Sequence, residues 1–196
     1  MSESDTVIPL FPLHTLLYPG GLLPLRIFEP RYLDMVSRCM REESGFGVVA
    51  LTGGSDTGAP AQFVDIGTLA TIINFDQGED GLLAIMGLGQ RRFTVLETEI
   101  AADNLVTATV SWRDEGEAAA VPDELGHLPA LLKSVLEGRP HPFGQLETQL
   151  GDAAWVSYRL AELLPLEGTD KLRLLAIDDP LERLKALDGL VAAMRS

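Results

Sequence analysis

Glu29 lies between Arg26 and Arg31 in the stretch PLRIFEPRY, residues 24–32. A carboxylate flanked by two guanidiniums has three uses. It can do acid–base chemistry, it can recognise a charged partner, or it can pair internally and hold a joint of the fold. The other reactive residue types are sparse. His14, His127 and His141 are far apart, and none has a metal-ligand neighbour at i+4. Cys39 is the sole cysteine, so neither a thiolate zinc site nor an intrachain disulfide is possible. It falls on the apolar side of an expected helix with only Arg38 and Arg41 as nearby cations, which reads as a buried, inert thiol. The chain has no Gly-Lys pair and hence no P-loop. MGLGQRR, residues 86–92, opens like a dinucleotide fingerprint, but the third glycine is missing and two expected strands flank it. Ser55 in GGSDTG lacks the second glycine of a nucleophile elbow. Asp178 and Asp179 are adjacent acids, and helix capping already accounts for one of them. No catalytic, cofactor or metal-ligating residue is assigned.

The elements that would position these residues change character along the chain. Residues 7–13 are apolar, with Pro9 and Pro12 restricting them to an edge or irregular strand. Tyr18-Pro19-Gly20-Gly21 signals a turn, and residues 22–28 follow with Leu23, Leu25 and Ile27 alternating onto one face. The period then lengthens: Leu33, Val36 and Met40 form a helical stripe with Tyr32, Met35 and Cys39 beside it, ended by Ser44-Gly45. Strands are expected again at 46–51, 66–75, 82–88, 91–100 and 105–112, with turns at 76–81 and 102–104. Several antiparallel strands around one helix suggest a small barrel or sandwich. Residues 113–122, RDEGEAAAVP, read as a linker. Beyond it, Leu125, Leu128, Leu132 and Val135 share a stripe that Pro129 shortens or kinks, and residues 138–144 are a loop. Asp152 is an N-cap for 152–164, Thr169-Asp170 can cap 171–177, and Asp179-Pro180 opens a last helix reaching Met194.

The 196 residues carry 15 basic and 29 acidic side chains, a net charge of −14. Residues 1–112 hold 6 basic and 14 acidic groups, a net −8. Such a surface disfavours nucleic acid and anionic membranes as partners. The N-terminus has Glu3 and Asp5 in place of a basic leader, and prolines interrupt each apolar run, so a cytoplasmic location is expected.

Separated blocks of the chain resemble a known family in order. IPLFPLHTLLYPGGLLPLRIFEPRYLDMVSRCM (8–40), FVDIGTLATI (63–72), IMGLGQRRFTV (85–95) and WVSYRLAELLPLEGTDKLRLLAIDDPLERLKAL (155–187) resemble the N-terminal substrate-binding domain of the ATP-dependent Lon proteases. The resemblance implies an α+β fold: a PUA-like β pseudo-barrel of about six strands with one inserted helix, followed by a C-terminal helical subdomain. The expected division is 1–112 for the barrel, with its helix at 30–42, then a linker at 113–122 and the helical part at 123–196. The family's ATPase and Ser-Lys peptidase modules have no counterpart here, nor do the zinc cysteines of its cereblon branch, so the chain looks like a stand-alone Lon-domain protein.

The function implied is non-catalytic recognition of unfolded or tagged polypeptides, with a separate protease as a further implied partner and no cofactor. Two other readings stay open. One is a small-molecule hydrolase using carboxylates in a polar pocket, and the other is an RNA-binding PUA-like protein. Within the Lon-type frame, PLRIFEPRY becomes a strand-to-helix joint: Leu25 and Ile27 point into the barrel, Pro30 opens the helix, and Glu29 meets its positive end. If the joint also binds a client, Glu29 and Arg31 are the residues placed to do so, on its exposed side.

Overall fold

Apolar alternation in the first half of the chain and 3.6-residue periodicity in the second produce two compact units, Met1–Arg113 and Asp114–Ser196. The computed structural model describes residues 6–53, 62–78, 81–138 and 148–194.

The first unit contains six strands and one helix: β1 (Thr6–Leu13), β2 (Leu22–Ile27), α1 (Pro30–Glu42), β3 (Phe46–Gly53), β4 (Gln62–Gln77), β5 (Leu83–Ile100) and β6 (Val106–Trp112). Five strands close a ring: β1 pairs β3, β3 pairs β4, β4 pairs β5, β5 pairs β6, and β6 pairs β1. Closure removes most of the open edges. β2 lies outside the ring, added to the first half of β5.

Three expectations change. First, the sheet is mixed, since β1 and β3 run parallel. Secondly, β1 is not an outer strand of the sheet but has the expected edge character half by half. It exchanges partners midway, with residues 6–9 on β6 and 10–13 on β3. Each half therefore has a ladder on one side only, and this is how Pro9 and Pro12 are accommodated without an N–H. Thirdly, the segments expected as separate strands at 82–88 and 91–100 are one long strand, β5. Its glycines permit the passage: a Cβ on Gly89 would overlap the Tyr18 carbonyl oxygen, so only glycine lets β5 run beneath that loop.

Two apolar clusters fill the unit. Ile8, Leu10, Val49, Phe93, Ala108 and Val110 pack within the ring. The second cluster joins Tyr32, Met35, Val36 and Cys39 of α1 to Leu23, Ile27, Phe46 and Ile85. Each such buried side chain contributes about 1.5–3 kcal/mol, so α1 is fastened by its stripe rather than by helix propensity. Pro30 occupies the first helical turn, as expected. The helix ends differently: Glu43, at φ 50°, takes the left-handed cap position expected of Ser44-Gly45, and the Ser44 N–H donates to the Cys39 carbonyl.

The second unit is helical, with a 3-10 turn (Asp123–Leu125), α2 (His127–Glu137), α3 (Ala153–Leu163), α4 (Gly168–Ala176) and α5 (Pro180–Met194). Pro129 falls in the first turn of α2 and leaves it unbroken. The Asp152 side chain accepts from the Trp155 N–H at 2.6 Å, capping α3. Asp179 accepts from the N–H groups of Leu181 and Glu182 at 2.7 and 2.9 Å, capping α5. At α4 the expectation fails. Its N-cap is Glu167, and Thr169 and Asp170 lie inside the first turn, where Asp170 still favours the helix dipole. Arg183 of α5 is fully buried: it donates to Ser157 Oγ at 3.0 Å and to the Ile177 carbonyl at 2.7 Å, and stacks 3.7 Å from the Tyr158 ring. The expected loop at 138–144 lies almost wholly outside the described residues.

Candidate binding surface on the distal sheet

Beyond the ring, β4 and β5 continue as a hairpin that β2 joins to make a three-stranded flap. The ladders align its residues in rows: Pro24, Met86 and Asn74; then Leu25, Ile85 and Phe75; then Arg26, Ala84 and Asp76. Alternation puts the first and third rows on the outer face and the middle row on the core face. These nine residues line an open groove of about 350 Å³. Its apolar contribution comes from Pro24, Ala84 and Met86, with Arg26 and Asp76 on either side of Ala84 at one end.

The middle row carries an anomaly. Ile85 is buried and Leu25 partly so, but Phe75 is 59% exposed. Phe75 faces the core side at a point where the core layer has ended. A second groove, about 360 Å³, opens there between the last turn of α1 and β4, lined by Cys39, Met40, Glu43, Ser44 and residues 71–75. Ile73, 53% exposed, is the extra residue of a β-bulge between the Ile72–Gly87 and Asn74–Met86 pairs. Met40, on α1, is also exposed.

The edge beside this groove has no ladder partner among the described residues. β3 pairs β4 only as far as Ala70, whereas β5 accompanies it to Gln77. The Gln77 N–H is taken by the Asp76 carboxylate at 2.8 Å, which ends the open stretch. From residue 71 to 76, β4 therefore presents a bare backbone edge flanked by Ile73, Phe75 and Met40.

Glu29 and Arg31 lie elsewhere in the unit and line neither groove. They pair with each other, Arg31 Nη2 to Glu29 Oε2 at 2.7 Å and Nε to the same oxygen at 2.9 Å. Arg31 also donates to the Asn104 carbonyl at 3.1 Å and stands over the Tyr32 ring. Arg31 is 32% and Glu29 41% exposed, and through Arg31 the pair ties the start of α1 to the β5–β6 turn. Burial pushes the Tyr32 hydroxyl pKa up, partly opposed by Arg31.

The remaining reactive types stay apart. Burial raises the Cys39 thiol pKa more than its Ser44 hydrogen bond and Arg38 lower it, and its sulfur faces the Gly45 carbonyl. His14 is exposed, His127 contacts Asp188 at 2.7 Å, and His141 lies outside the described residues, as does Ser55. Gly87 and Gly89 sit inside β5 rather than at a strand-to-helix turn. Among the described residues no group of three or more His, Cys, Asp or Glu could hold a metal ion. No described helix is long and apolar enough to cross a membrane.

Sequence reasoning did not single out Ile73 or Phe75, met Met86 only within the incomplete glycine motif, and placed Met40 on the apolar stripe of α1, where the structure instead leaves it 36% exposed because the buried face runs through Tyr32, Met35, Val36 and Cys39. One signal was available: Ile72-Ile73 breaks strict alternation, as a bulge requires. The exposure of Phe75 had no sequence signal, because it depends on where α1 stops.

A family model described as the ATP-dependent protease La (LON) substrate-binding domain matches residues 7–192. The structure is similar to that of a Lon N-terminal domain protein from Xanthomonas campestris, at 40% identity and a TM-score of 0.78, covering 94% of this chain and 98% of that one. It shares its fold with the N-terminal domain of the Mycobacterium avium complex Lon protease, at 18% identity and a TM-score of 0.61, over 93% and 96% of the two chains. Among curated relatives, Lon protease of Cytophaga hutchinsonii is 25% identical over 193 residues, covering 92% of this chain and 23% of that protein. Protein cereblon of Gallus gallus is 30% identical over 112 residues, covering 55% and 24%. The chain spans about a quarter of the length of these curated relatives.

Proposed function

The chain belongs to the LON substrate-binding domain family, and from that premise we propose that it is a non-catalytic module that holds unfolded or tagged polypeptides. The observation that carries this reading is the exposure of Phe75 on the core side of the flap, with Ile73 and Met40 beside it and an open groove on either face of β4. Exposed apolar side chains grouped around concave surface suit the apolar segments that unfolded chains display. Glu29 and Arg31 are proposed as a polar contribution to client binding. Their double charge reversal should weaken binding while circular dichroism shows the fold intact, and unchanged binding would remove them from the surface.

The test of the main reading is a fluorescence titration with a permanently unfolded protein, reduced and carboxymethylated, and its native form as control. Saturable binding of the unfolded form alone is expected. Absence of binding up to high micromolar concentration overturns the reading. Turnover in an activity panel that survives repurification and disappears on a groove mutation overturns its non-catalytic part.

A further inference from the structure

We infer that the client is taken up as an added β-strand, by an extended segment of another polypeptide that is net basic and carries apolar residues at alternate positions, pairing with β4 along residues 71–76. This rests on the polypeptide-binding reading and specifies its mode and client chemistry.

Three observations lead here. The first is the backbone. β4 has a ladder on its β5 side through Gln77 and, among the described residues, none on its other side beyond Ala70. An exposed edge is a template for another strand, with main-chain hydrogen bonds supplying affinity and alternate side chains supplying specificity. The flap's other open edge, β2, is a weaker template, because Pro24 removes a donor from its centre.

The second is the side chains beside that edge. A strand laid against residues 71–76 sends alternate side chains into the groove with Met40, Ile73 and Phe75, while the others pass Asn74 and Asp76 on the outer face. The apolar-alternating pattern follows from this geometry. A helix would leave the edge's N–H and C=O groups unanswered.

The third is charge, which decides between a foreign segment and a second copy of this chain. Among the described residues Glu43 is the one charged residue lining the groove, and Asp76 closes the edge. The chain carries −14 overall. Two copies meeting edge to edge would bring these carboxylates together, whereas a segment bearing Lys or Arg offsets them.

The test uses the full chain and a fluorescein-labelled peptide, acetyl-Lys-Val-Lys-Phe-Lys-Val-Lys-amide, read by anisotropy. A second peptide with Glu in place of Lys is the charge control. Single N-methylation is then moved along the peptide. Expected is an alternating profile, with about 10-fold or greater loss at every second position, because only those N–H groups face β4. The Glu peptide should bind about 10-fold more weakly or worse, and the paired variant Glu43→Gln with Asp76→Asn should narrow that gap. A uniform N-methyl profile, with the peptide still bound, overturns strand addition and leaves polypeptide binding standing. The same holds if unfolded protein binds but the Lys peptide does not, or if the two peptides bind equally. Failure of unfolded protein and both peptides removes the underlying reading instead. Sedimentation showing a dimer that Ile73→Lys dissolves assigns the edge to a second copy and overturns the proposal.

Discussion

Replacing Phe75 by alanine separates a folding residue from a binding residue. Fully burying a phenylalanine is worth about 1.5–3 kcal/mol. Phe75 is 59% exposed, so the fold holds some two-fifths of that, about 0.6–1.2 kcal/mol. Phe46, on β3, is completely buried, and its truncation should cost about 3–5 kcal/mol including the cavity left behind. The assay is urea unfolding followed by tryptophan fluorescence in a Trp155→Phe background. Trp112, edge-on to Phe93 at 6.3 Å, then reports the Met1–Arg113 unit alone. At a slope of about 2 kcal/mol per molar urea, Phe75→Ala should lower the midpoint by about 0.5 M and Phe46→Ala by about 2 M. Binding should reverse the order. A central aromatic anchor typically carries about 2 kcal/mol or more of an interface, so Phe75→Ala should weaken capture of unfolded protein at least 10-fold. If Phe75→Ala unfolds as readily as Phe46→Ala, the side chain belongs to the core and its exposure has been misjudged. If the fold is intact and binding is unchanged, the distal grooves are not the client surface.

Three further outcomes are expected. Asp179→Ala removes the acceptor of two N–H groups at the start of α5, and should destabilise the helical unit by about 1–2 kcal/mol in the matching urea experiment with Trp155 as reporter; an unmoved midpoint would mean that water caps the helix equally well. Gly67→Ala places a Cβ 2.5 Å from both Phe93 Cζ and the Val48 carbonyl oxygen, so a fall in melting temperature or loss of soluble protein is expected, whereas Gly151→Ala, with nothing within 4 Å, should be neutral. Cys39 is buried and its thiol pKa is raised, so iodoacetamide at pH 8 should label the native protein on the order of 100-fold more slowly than the urea-unfolded chain; fast native labelling would contradict the burial.

The joint at PLRIFEPRY was readable because its determinants are local. Pro30 presets the backbone of a first helical turn, the Tyr32–Cys39 stripe repeats at helical spacing, and Leu23, Leu25 and Ile27 alternate, although they pack against α1 rather than into the ring as expected, because β2 lies outside it. The caps at Asp152 and Asp179 were readable for the same reason, since donor and acceptor lie within three residues. At α4 the same reasoning failed because the N-cap is Glu167, with no side-chain cap hydrogen bond, so the capping residues Thr169 and Asp170 did not mark the start of the helix. The divided pairing of β1 was hidden in its prolines, which say that an N–H is dispensable without saying which partner is absent.

The sequence by itself determined the kinds of element, the family resemblance carried by ordered blocks, and a charge unsuited to polyanions. These follow from side-chain type and short spacing, which survive without coordinates. The tertiary structure alone decided that β5 is one strand, that β1–β3–β4–β5–β6 close a ring, and that β4 runs beyond β3 into a bare edge. It also decided that Arg31 and Glu29 hold each other while Phe75 stands in solvent. Exposure depends on where neighbouring elements end. That is set by long-range register and helix length together, and no window of a few residues contains it.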